Sequence, residues 1–219
     1  VGSYEVLPLG DVFDMEYWSL EQAKLGKKQP KRFDGQVVVV TGAAGGIGEA
    51  TARLFAAEGA TLFLIDREPK ALEKVAQELA AAHVALDVAD GAALRAALEQ
   101  CVKVFGGVDG IVSNAGFAPQ GALHTLDDEL LQQSFAVNFF AHHILAQEAV
   151  KVMRAQGFGG FILFNASKAA FNPGKDFGPY AIPKAAVIAL MKQLALENGE
   201  VGIRVNAVNA DRIRTGLLP

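Results

Sequence analysis

A chain of 219 residues, 51% of them apolar, can bury one sizeable core and lacks the material for two ordinary domains. Its net charge of −4 gives the molecule as a whole no electrostatic pull toward nucleic acid or anionic lipid, and its single cysteine, Cys101, excludes an internal disulfide framework and fits a reducing, cytoplasmic compartment. The histidines show no metal-ligand spacing, because the neighbours His142 and His143 diverge by about 100° on a helix, so no metal is expected.

Residues 1–34 differ from the rest. Tyr4, Phe13, Tyr17 and Trp18 stand among acidic residues, and Lys27, Lys28, Lys31 and Arg32 cluster around Pro30. This reads as an N-terminal arm or interdomain linker, with the basic cluster a solvated run, and residues 35–219 read as one domain. The chain opens on Val1 with no signal peptide pattern and no initiating methionine, as expected of a fragment or a processed product.

From Gln36 onward, short β-branched runs alternate with longer helical ones, the pattern of βαβ units around a parallel sheet. Val37, Val38, Val39 and Val40 show no polar alternation, as expected of a strand covered on both faces. A helix is expected over 47–58, a strand over 61–65 ending at Asp66, a helix over 69–82 and a strand over 83–86. A helix over 92–105 then carries Cys101 beside Val102 and Val104, an inert buried thiol, and a strand over 110–112 runs into Ser113, Asn114, Ala115 and Gly116. One long helix is expected over 127–154, with an apolar stripe through Leu131, Phe135, Phe139 and His142. Its uncharged stretch 130–147 carries Gln132, Gln133, Ser134, Asn138, His142 and His143, which describes a buried helix of a soluble protein and argues against a membrane span. A strand over 161–164, a loop with Pro173 and Gly174, a helix over 180–197 and a strand over 203–208 complete a doubly wound parallel α/β sheet in a single domain.

Four features carry chemistry. The run TGAAGGIG at 41–48 lies where the first strand turns into a helix; its glycines let a pyrophosphate approach the backbone, and the helix N-terminus offers it free N–H groups. Asp66 closes the second strand, where a carboxylate accepts hydrogen bonds from adenosine ribose hydroxyls and repels a 2′-phosphate; this favours NAD over NADP, although Arg67 is adjacent and a helix-capping role for Asp66 fits equally. Tyr180 and Lys184, four residues apart, share a helix face, so the ammonium favours the phenolate. Bringing a tyrosine from about 10 to about 7 takes roughly 4 kcal/mol, more than one charge supplies, and Pro183 suggests a first helical turn whose N-terminus adds to it. Ser167 closes the fifth strand on the edge where such sheets bind ligands, with its hydroxyl available to a substrate oxygen. Asn138, on the apolar stripe, is either a structural hydrogen-bonder or part of a water relay to Lys184.

In order, spacing and strand placement, these residues, together with Asp87, Val88 and Asn114 to Gly116, resemble the short-chain dehydrogenase/reductase family and its Rossmann fold over 33–215. The resemblance implies hydride transfer between NAD and a small hydroxyl or carbonyl substrate. Tyr180 would be the general acid/base, Ser167 would orient the substrate oxygen, Lys184 would hold the nicotinamide ribose and lower the Tyr180 pKa, and Asn138 would complete a proton relay. It also implies that Gly42, Gly45, Gly46, Ile47 and Gly48 contact the pyrophosphate side, that Asp87 and Val88 flank the adenine, and that Asn114, Ala115 and Gly116 line the cleft. Ile213 and Thr215 would contact the nicotinamide side, less securely because Asn209-Ala210-Asp211 replaces the family's usual Pro-Gly, and the family's C-terminal lid and last strand are missing. A homodimer or homotetramer through the helices at 127–154 and 180–197 follows from the same resemblance.

A narrower resemblance, carried by DMEYWSLEQAKL at 14–25, NPGKDFGPYAIPK at 172–184 and NADRIRTGLL at 209–218, is to the dehydrogenase half of bifunctional rhamnulose-1-phosphate aldolase/short-chain dehydrogenases. It implies an aldolase domain upstream and lactaldehyde as substrate. A non-catalytic NAD-binding module and an NAD-retaining epimerase or dehydratase are the competing readings.

Overall fold

The computed structural model describes residues 31–211 and 213. The strands are β1 (Val37–Thr41), β2 (Thr61–Asp66), β3 (Ala82–Ala85), β4 (Gly110–Ser113), β5 (Gly160–Asn165) and β6 (Ile203–Val208). They form one parallel sheet in the order β3-β2-β1-β4-β5-β6. The order reverses between β1 and β4, so the connections that leave these two strands diverge and open a crevice at their carboxyl ends.

The helices are α1 (Gly46–Ala57), α2 (Pro69–Leu79), α3 (Gly91–Phe105), α4 (Asp128–Phe135), α5 (Ala141–Gln156) and α6 (Gly178–Asn198). Every residue of β1 is buried, as its unbroken valine run requires. The two-residue period of each strand divides its side chains between two cores. Val38, Val40, Leu62 and Leu64 pack with Leu72 and Val75 of α2 on one face. Val39, Phe63, Ile65, Ile111 and Phe164 pack with Leu98 of α3, Leu145 and Met153 of α5 and Val187 of α6 on the other. The doubly wound sheet expected from the sequence is the one observed. Cys101 lies fully buried within the second core, and burial pushes its thiol up to about 12, which leaves it unreactive. Among the described residues no helix is long and apolar enough to cross a membrane.

Element ends shift by a few residues, as at α2, which stops short of the expected 82 because Ala80 turns left-handed, with φ 51°, to let β3 begin. Two differences are larger. The single helix expected over 127–154 is broken by a π-helical turn at Ala136–Phe140 between α4 and α5, with the fully buried Asn138 at its centre. Hydrophobic periodicity cannot reveal such a turn, since the residues flanking it keep helical dihedrals.

The second concerns Pro183, expected in a first helical turn. In α6 the first-turn proline is Pro179, and Pro183 lies inside the helix. Pro183 has no N–H to give the Pro179 carbonyl, and Ser134 Oγ donates to that oxygen instead, at 2.6 Å. Ser134 Oγ in turn accepts from Asn138 Nδ2 at 3.0 Å, so the π-turn and the proline are two ends of one buried hydrogen-bond chain.

Candidate active site

The glycine turn after β1 is shaped by close approach. Gly42 has φ +67°, and a Cβ there would lie 2.8 Å from Asn114 Nδ2; a Cβ on Gly48 would collide with the Gly42 carbonyl. Gly46 also takes a positive φ of 57°, while Gly45 caps α1 in an extended conformation without a side-chain bond, which leaves the first N–H groups of the helix free to meet an anion.

Two neighbouring strands brace this turn. Thr41 Oγ1 accepts from the backbone N–H of Asn114 at 2.9 Å and of Ala115 at 3.1 Å. Asn114 Nδ2 donates to the carbonyls of Thr41 at 3.0 Å and Gly42 at 3.3 Å, and its Oδ1 accepts from Asn165 Nδ2 at 2.8 Å. Asp66 joins from β2: Oδ2 accepts from Ala44 N at 2.9 Å and Oδ1 from Glu68 N at 3.0 Å. The cap of α2 is Glu68, so Asp66 is not that helix's cap; it ties the glycine turn to the end of β2.

A cleft of about 290 Å³ runs over the turn, lined by Gly42, Gly45, Gly46, Ile47, Asp66, Asn114, Ala115, Gly116, Tyr180 and Lys184 among others. At one end it meets a pocket of about 170 Å³ bordered by Asp66, Arg67, Asp87 and Val88. At the other it meets a larger pocket of about 610 Å³ containing Ser167, Lys168, Asn172 and Ile213, with Ile47, Asn165, Ala166 and Tyr180 common to both. Tyr180 therefore stands where the narrow cleft opens into the wide pocket. Gly48 lies beneath the turn, Ile213 borders the wide pocket, and Thr215 lies outside the described residues.

Ser167 caps a short 3₁₀ turn at Lys168–Ala170, with its Oγ accepting from Ala169 N at 3.1 Å, and its hydroxyl also hydrogen-bonds to Tyr180. Burial raises the phenol's pKa, and the bond from Ser167 opposes that rise. The ammonium effect expected from Lys184 is not among the causes. Its Nζ lies 5.8 Å from the centre of the Tyr180 ring. Lys184 is only 2% exposed, donates to the Asn165 carbonyl at 2.8 Å, and is brought down to about 7 by burial.

Asn138 does not line the cleft. Its Oδ1 accepts from Phe117 N at 3.2 Å and its Nδ2 donates to Phe117 O at 2.9 Å, which fixes the chain leaving β4. A Cβ on Gly116 would lie 2.9 Å from Asn138 Oδ1 and 3.5 Å from Lys184 Nζ, so both groups crowd that glycine, while the Asn138 amide bonds to Phe117 and Ser134 and the lysine to Asn165 and His142. The geometry thus favours the structural alternative for Asn138.

Sequence reasoning missed Asn165, gave Thr41, Ser113 and Ser134 no role of their own, and considered His142 only as a metal ligand, which it rejected, and as part of a buried helical stripe. Their one sequence signal is polarity at the end of an apolar strand or on a buried helical face, which does not say what the polar group meets. Asn165 Oδ1 is the one buried side-chain oxygen or nitrogen among the described residues left without a partner.

These residues suit a dinucleotide. Gly42, Gly45 and Gly46 present bare backbone to the cleft, Asp66 sits between the cleft and the smaller pocket, and an orphan acceptor on Asn165 waits at the far end.

Residues 36–218 match the short chain dehydrogenase family. The chain is 33% identical over 224 residues to the uncharacterized oxidoreductase YuxG of Bacillus subtilis (strain 168), a match covering 99% of this chain and 32% of that protein. It is 34% identical over 192 residues to the 2,3-dihydro-2,3-dihydroxybenzoate dehydrogenase of the same organism, over 85% of this chain and 73% of that one. Among solved structures it is similar to a 3-ketoacyl-(acyl-carrier-protein) reductase from Brucella melitensis complexed with NADH, at TM-score 0.81 and 32% identity, over 84% of this chain and 78% of that one. It is equally similar to a short-chain type dehydrogenase/reductase from Mycobacterium marinum, at TM-score 0.81 and 33% identity, covering 86% and 77% of the two chains. Fold, glycine turn and matches together make the chain an oxidoreductase of the short chain dehydrogenase family.

Proposed function

We propose that the protein transfers hydride between NAD and a small hydroxyl or carbonyl substrate, with Tyr180 as general acid/base. The observation that carries this is the position of Tyr180 at the mouth between the dinucleotide-sized cleft and the wide pocket, hydrogen-bonded to Ser167. When bound, the nicotinamide supplies the hydride acceptor and a positive charge. Ser167 holds the substrate oxygen, and Tyr180 takes its proton in oxidation and returns one in reduction. Lys184 keeps its amine 5.8 Å from the centre of the Tyr180 ring and lines the cleft, where it would donate to the nicotinamide ribose, while Asn138 holds the backbone of Phe117 in place. NAD is favoured over NADP by the Asp66 carboxylate at the adenosine end, since Arg67 beside it is drawn to Glu68 at 3.4 Å.

Lactaldehyde as substrate and an aldolase domain upstream rest on the narrower sequence resemblance. The match to YuxG extends through residues 1–34 and covers 32% of that protein, whose remaining length would accommodate a further domain. The same match supports reading 1–34 as a connector. Exposed Phe140, Ile182 and Leu196 on or beside α5 and α6 support a homodimer or homotetramer, and the one buried thiol supports a cytoplasmic setting.

Tyr180→Phe tests the reading. Turnover should fall by at least about a thousandfold while NADH binding, followed by titration calorimetry, stays within about twofold and exceeds NADPH binding. Retained turnover removes Tyr180 from the chemistry, and tighter NADPH binding reverses the cofactor assignment.

A further inference from the structure

His142 is only 1% exposed, enters from the first turn of α5, and spans two buried groups that no residue role above explains. Its Nδ1 lies 2.6 Å from Ser113 Oγ at the end of β4, and its Nε2 lies 3.3 Å from Lys184 Nζ on α6. We propose, building on the hydride-transfer reading, that His142 is a positioning residue whose neutral imidazole couples Ser113 to Lys184 and sets the pH range over which the lysine carries its charge beside Tyr180.

The argument follows from donors and acceptors. An ammonium at Lys184 has three N–H groups. The Asn165 carbonyl takes one at 2.8 Å, a second meets His142 Nε2, and the third is left for the cleft that Lys184 lines. For Nε2 to accept, the imidazole proton must sit on Nδ1, where Ser113 Oγ accepts it. When Lys184 loses its proton, every bond in the chain can reverse: Ser113 Oγ donates to Nδ1, Nε2–H donates to the amine lone pair, and no member is left unpaired. A hydroxyl and an imidazole are the side chains that allow this reversal, since each can donate or accept at the same atom. A leucine in place of His142 would strand the Ser113 hydroxyl and one lysine N–H in the core.

The imidazole stays neutral throughout, because burial and the Lys184 charge both hold its pKa well below the usual histidine range. The groups facing it are few. Lys184 comes from α6, with Tyr180 one turn behind it; Ser113 comes from β4, and from β5 the uncharged ring of Phe164 meets it edge-on at 5.9 Å. Among the described residues no carboxylate pairs with Lys184, so hydrogen bonds rather than an ion pair hold its charge.

Two readouts test this on the full chain. In ¹⁵N spectra of histidine-labelled protein, the His142 signals should report Nδ1–H at pH 6 and Nε2–H at pH 9, and Lys184→Met should abolish that change. In alcohol oxidation, the alkaline limb of the kcat/KM profile should move down by about one pH unit in His142→Leu, because the ammonium loses an acceptor, and His142→Gln, whose amide reaches the position of Nε2, should bring it back to within about 0.3 unit. Ser113→Ala, a smaller change should His142→Leu fail to fold, should move the limb the same way by less. An unchanged limb in a folded His142→Leu or Ser113→Ala protein, or one tautomer across the whole range, overturns the proposal. A parent protein that turns over no substrate yet shows the tautomer change supports the coupling and overturns the hydride-transfer reading instead.

Discussion

Lys184 shows at the scale of one residue what the site costs the fold. Its amine is buried without a carboxylate, and its pKa is brought from an ordinary 10.5 to about 7. Between those values the unfolded chain holds a proton that the native protein has shed, so native stability rises with pH across that window. From pH 7 to pH 9 the protein should gain about 2 kcal/mol relative to Lys184→Met, as urea denaturation of both proteins at the two pH values would show. A flat difference would mean that Lys184 titrates normally. The lysine itself was legible in the sequence from its spacing to Tyr180. Its surroundings were not, because Asn165 and His142 reach it from segments 19 and 42 residues away.

At the scale of elements, the π-turn at Ala136–Phe140 and the proline inside α6 explain each other. Ser134 supplies the hydrogen bond that Pro183 denies to the Pro179 carbonyl, and it receives one from the Asn138 amide. Ser134→Ala should cost about 2 kcal/mol in chemical denaturation, because it leaves a buried carbonyl and one amide N–H short of partners. Adding Pro183→Ala restores a backbone N–H opposite that carbonyl and should recover about half of the loss. No recovery would place the cost of Ser134→Ala elsewhere. Helix existence and approximate bounds were readable here from periodicity and glycine stops. The π-turn was not, since its residues continue the apolar run of the neighbouring helices and the residues on either side keep helical dihedrals.

For the whole molecule, the sheet separates two cores that share no side chains. Leu64 is buried on the α2 face and Phe164 on the α5 and α6 face, with β1 and β4 between their strands. Leu64→Ala should cost about 2–5 kcal/mol and Phe164→Ala about 3–5 kcal/mol, with the double variant within about 0.5 kcal/mol of their sum. Since a domain of this kind has roughly 5–15 kcal/mol in all, guanidinium titration of the double variant should find it close to unfolding at room temperature. A strong departure from additivity would mean that the two faces communicate through the sheet.

The amino-acid sequence alone determined the alternation of strands and helices, the burial of β1, the glycine turn and the residue types at the edge of the sheet, because each depends on neighbours within one or two turns of chain. Strand order, the meeting of Tyr180 with Ser167, the bracing of the glycine turn by Thr41, Asn114 and Asn165, and the buried chain from Ser113 through His142 to Lys184 were decided by tertiary structure. A polar side chain announces in sequence that it needs a partner once buried, but only packing of the sheet against its helices selects which partner that is.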